Sequence, residues 1–121
     1  MKTKNTVMFP TKIKILDQIF KIIYSEKLSE IDCDGITQMY GQTNFHTKTI
    51  RIYRPIDFST AEVWNTIMHE AIHVIFETLK ISEGDDKLND TTYQEKVIHL
   101  LATGINTMMI DNNFYCQKID S

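Results

Sequence analysis

The chain has 121 residues, 42% of them hydrophobic and 24% charged, with a formal net charge of −3. That length and apolar content suit one compact domain with one core and argue against a second. The acid excess provides no basic footprint for a phosphate backbone, so no nucleic-acid partner is expected. No stretch reaches the roughly 20 apolar residues of a membrane span.

Residues 1–10 are polar apart from Val7, Met8 and Phe9 and are expected to form a flexible arm ahead of a single domain spanning 11–121. Lys2, Lys4, Lys12 and Lys14 are not followed by the apolar core and cleavage site of a secretory signal. Cys33 and Cys116 form no CxxC pair, so free thiols in a cytoplasmic protein are the expectation.

The segment "TKIKILDQIFKIIYSE" alternates Ile13 and Ile15 with lysines and continues, past Asp17-Gln18, to Ile19, Phe20, Ile22 and Ile23. Two strands joined by a tight turn are predicted, with a single helix over 13–24 as the alternative. After "SEKLSEIDCDG", Gly41 and the stretch Asn44–Lys48 supply turn chemistry, and Ile50, Ile52 and Tyr53 form a strand that Pro55 closes. The first half therefore predicts a small, mostly antiparallel sheet.

At Ser59 the pattern changes. "STAE" fits a capping box, in which a serine hydroxyl and a glutamate carboxylate satisfy free amides of a first helical turn. A helix is predicted from about Thr60 to Leu79, with Val63, Ile67, Ala71, Val74 and Ile75 at helical spacing and Trp64, Ile72, Phe76 and Leu79 widening the apolar surface. "TTYQE", Thr91 to Glu95, reads as a second capping box opening a last helix. Its apolar face comprises Ile98, Leu101, Ala102, Ile105, Met108 and Met109, up to the stop at Asp111-Asn112-Asn113. The fold class is thus α+β.

The chemistry lies in "NTIMHEAIHVIF". His69 and His73, one turn apart, project from the same helix face and can grip one ion from two corners. Glu70 points about 100° away, as a general base must if it is to reach the attacking water without ligating the metal. Zinc would polarise the scissile carbonyl and lower that water's pKa towards about 7. A catalytic zinc takes three protein ligands and an open position. The last helix offers Glu95 and His99, also one turn apart, with Glu95 provisionally assigned to its capping box. His46 in a turn and Tyr93 at a helix start are candidates of lower rank. Trp64, Met108 and Met109 are read as packing residues, with an interface as the alternative for Trp64.

With HExxH followed by "HLLATGI" from His99 to Ile105, the chain resembles small phage and prophage zincin metallopeptidases, relatives of the ImmA/IrrE and SprT-like families. The resemblance covers about Lys12 to Asn113. It implies a short sheet before the HExxH helix and a second helix carrying the third ligand. That group commonly has an acidic residue where His99 stands, whereas SprT-like proteins use histidine; His99 is therefore the expected third ligand, with Glu95 capping or supporting. The resemblance also implies a cytoplasmic zinc peptidase with a protein or peptide substrate aligned on an edge strand, for which Thr49 to Tyr53 is the candidate. So short a chain leaves little material for deep subsites. The alternative function is a zincin-fold binding or antagonist protein whose zinc is structural.

Overall fold

The computed structural model describes residues 9–27 and 40–114. Cys33 and Cys116 lie outside the described residues. Four strands, β1 (Lys12–Ile15), β2 (Gln18–Ser25), β3 (Gly41–Asn44) and β4 (Thr49–Tyr53), precede two helices, α1 (Thr60–Leu79) and α2 (Thr91–Asp111). The class is α+β, as expected, but the sheet is mixed. Its order is β1-β2-β4-β3, with β2 and β4 parallel and the other two pairings antiparallel. Local turn signals reveal hairpins. They cannot reveal that the chain crosses back to lay β4 beside β2, which places β4 in the interior and β3 at the edge.

Strand alternation sorts the two faces. Phe20, Ile22, Ile50 and Ile52 are buried on one face against Val63, Ile67, Ala71 and Val74 of α1; each such burial contributes about 1.5–3 kcal/mol. Lys12, Lys14, Lys21 and Arg51 are exposed. The hairpin β1-β2 turns through Leu16 (φ 50°) and Asp17 (φ 71°), one residue earlier than the Asp17-Gln18 break suggests. Both residues sit in the left-handed region, which matches a two-residue turn to the twist of its strands but suits Asn-Gly better than Leu-Asp.

The capping box forms as predicted: Glu62 N–H donates to Ser59 Oγ, and Ser59 N–H donates to Glu62 Oε1. α2 starts differently. Its cap is Asp90, whose carboxylate accepts from Tyr93 N–H, so Glu95 lies past the first turn and is not a capping residue. Ile98 and Ala102 of α2 pack on Ile72 and Phe76 of α1. Asn106, one turn further, donates from Nδ2 to the Ala61 carbonyl at 3.2 Å, tying the end of one helix to the start of the other. The apolar face of α2 is narrower than its sequence suggests: Leu101 (43% exposed) and Met108 (50%) point to solvent and are not core.

The domain begins before Thr11. Phe9 packs against Tyr24 and Trp64, and the Tyr24 hydroxyl donates to the Pro10 carbonyl at 2.6 Å. Burial pushes the Tyr24 phenol up to about 12, partly opposed by the Arg54 guanidinium.

Two outcomes are expected from these features. Replacing Leu16-Asp17 by Asn-Gly should raise unfolding free energy in urea by about 1 kcal/mol, because the strained φ angles disappear. Because folding raises the phenol's pKa above its ordinary value of 10.0, Tyr24 contributes stability that is complete below pH 10 and is lost as pH climbs through about 12. An ultraviolet titration should show one late tyrosine, absent in Tyr24→Phe.

Candidate active site

α1 carries His69, Glu70 and His73 at mid-length, where the helix is held on one side by the sheet and on the other by α2. The two imidazoles project into a cleft towards α2, their ring centroids 5.0 Å apart. Glu95 meets both: His69 Nε2 lies 3.2 Å from its Oε1 and His73 Nε2 2.8 Å from its Oε2. One donor atom from each of the three lies within 4.8 Å of the others, so the group could hold a metal ion. Tetrahedral zinc, with bonds of about 2.0–2.1 Å, sets neighbouring ligand atoms about 3.4 Å apart. Here the two imidazoles meet different oxygens of Glu95, Oε1 for His69 and Oε2 for His73.

Glu95, not the expected His99, is the residue that groups with the two histidines. His99 lines the same cleft, its ring centroid 6.4 Å from that of His69, but it lies outside the converging group. The reason is the start of α2. With Asp90 as the cap, Glu95 is released from the helix N-terminus, and the Ile98–Ala102 ridge that seats α2 on α1 turns Glu95 towards the histidines.

Glu70 faces the other way, as its offset on the helix requires. Its side chain is buried (6% exposed) between α1 and β3, where Thr43 Oγ1 donates to Glu70 Oε1 at 2.6 Å. The approach is close enough to need a glycine: a Cβ on Gly41 would stand 2.8 Å from Glu70 Cγ and 2.9 Å from Glu70 Oε2 and Thr66 Cγ2. Burial raises the Glu70 pKa against the opposing pulls of the Thr43 hydrogen bond and the His73 and His69 charges, with Glu95 adding to the rise. Glu95 moves down because His69 and then His73 hydrogen-bond its ionised form, against its partial burial. Burial alone would lower the His73 pKa, yet the hydrogen bond it donates to Glu95 and the charges of Glu70 and Glu95 raise it overall. Burial thus moves the Glu70 pKa up, whereas hydrogen bonds from the two histidines move that of Glu95 down.

No significant match to this chain was found among family models, curated proteins or solved structures.

Two further expectations are revised. The strand bordering the site is not Thr49–Tyr53, because β4 is paired on both sides; β3 is the edge strand, and Gly41, Gln42 and Thr43 line the cleft. The cleft is also larger than so short a chain suggests, about 970 Å³, because α2 stands away from the sheet and leaves α1 as a floor between two walls. His46 is exposed in its turn, where its N–H donates to Asn44 Oδ1, and Tyr93 is 42% exposed; neither lines the cleft. Trp64 packs on the core as expected. Sequence reasoning missed Thr43 and Gly41, since a threonine and a glycine in a polar strand carry no chemical signature until the helix is seated above them.

Thr43→Val should cost about 1–3 kcal/mol in denaturant unfolding, because it leaves a buried carboxyl without its donor; Thr43→Ser should restore most of the loss.

Proposed function

We propose that the chain is a zinc-dependent peptidase acting on an extended stretch of polypeptide. The observation that carries this reading is the division of labour on one helical turn: His69 and His73 converge with Glu95 on a single point, while Glu70 is held back from that point by Thr43. A purely structural site has no use for a buried carboxylate that does not ligate.

His69, His73 and Glu95 would hold the metal. A bound zinc supplies Lewis acidity, lowering the pKa of water towards about 7 and polarising a carbonyl. Glu70 then accepts a proton from the water that adds to the scissile carbonyl carbon and returns it to the amine nitrogen as the carbon–nitrogen bond breaks. Thr43 holds one carboxylate oxygen, leaving the other for that transfer. Burial raises its basicity in the same direction. The substrate backbone pairs with the edge of β3, which among the described residues is bonded only to β4.

Protein purified without added metal should carry about one zinc per chain by elemental analysis. His69→Ala, His73→Ala and Glu95→Ala should release it, while His99→Ala should retain it. Comparing the proteomes of cells expressing the wild type and Glu70→Gln should reveal cleaved proteins only with the wild type. An unchanged biological effect in Glu70→Gln, with zinc still bound, would instead mark a binding or antagonist protein with a structural metal.

A further inference from the structure

The cleft is one-sided about its chemical centre. Along α1 its lining runs from Ala61 to His73, and along α2 from Glu95 to Ile110, so the His69–His73–Glu95 group sits at one end of both helical walls. The rest of the cleft extends only towards the start of α1. There it ends among apolar groups: the rings of Tyr40 and Phe58 meet edge to face with centroids 5.4 Å apart, and Ile110, 41% exposed, lies on the opposite wall. No lysine or arginine is among the described lining residues.

Distance and polarity follow from the backbone. At 1.5 Å per helical residue, the stretches from His69 and from His73 back to Glu62 put the Phe58 end of the cleft about 10–16 Å from the centre. An extended chain covers that in about three to five residues. β3 runs from Tyr40, beside Phe58, to Thr43, beside Glu70. A peptide pairing with it in the more stable antiparallel sense runs the opposite way, from the catalytic centre towards Phe58 and Ile110.

Resting on the peptidase reading, we infer that the cleft recognises polypeptide on the C-terminal side of the scissile bond and seats an apolar side chain, about three to five residues beyond that bond, among Tyr40, Phe58 and Ile110. Recognition on the N-terminal side is correspondingly slight. The substrate class is an extended polypeptide segment with an apolar anchor downstream of the cut.

Two series of zinc-anchoring hydroxamates test this on the zinc-loaded protein by calorimetry, without need of turnover. In one, the peptide extends from the hydroxamate in the C-terminal direction; in the other, in the N-terminal direction. Each series scans a single phenylalanine against glycine at successive positions. A gain of tenfold or more in affinity is expected for phenylalanine at one of the third to fifth positions of the C-terminal series alone. Ile110→Asp and Phe58→Ala should each remove that gain while leaving zinc content unchanged. A gain in the N-terminal series, no positional gain, or a gain that survives both substitutions overturns the inference. If the positional gain appears and the wild type cuts no protein, the peptidase reading fails and the assignment of the cleft stands.

Discussion

The site depends on how closely α1 approaches the edge of the sheet. Gly41 lets the helix come near enough for Glu70 to be buried against β3, and Thr43 supplies the hydrogen bond that makes this burial tolerable. A carboxylate buried without a donor would be strongly destabilising, and one left in solvent would keep its ordinary acidity. The edge strand therefore does two jobs: it sets the position and basicity of one side chain, and it leaves its outer side for another chain to join.

The second helix acts on the opposite side of α1 and by a different principle. Ile98 and Ala102 seat it through apolar contact, and Asn106 fixes its far end by bonding to the Ala61 carbonyl. With the helix anchored at those points, Glu95 has little choice of direction. The result is a carboxylate lodged between two imidazoles, an arrangement that lowers its pKa and keeps it anionic and ready for a cation. Sheet and helix thus impose contrary environments on two glutamates that share one helical turn's worth of space.

The same two packings create the cleft. Because α2 contacts α1 and not the sheet, the exposed strip of α1 between them becomes a floor about one helix wide. Its middle is polar and its end aromatic. A small chain can in this way present an extended binding surface without additional domains, since the walls are elements already needed to bury the core.

Much of this was written locally. The capping box at Ser59 and Glu62, the spacing of His69 and His73, the offset of Glu70 and the lengths of both helices depend on residues within one or two turns of each other, so the sequence alone determined them. The meeting of Glu95 with the two histidines, the interior place of β4, the exposure of Met108 and the contacts of Gly41 and Thr43 with Glu70 depend on how segments far apart in the chain pack. Only the tertiary structure decided these, because a hydrogen-bonded helical turn is specified by its own neighbours, whereas the direction in which a side chain finds a partner is set by the packing of whole elements against one another.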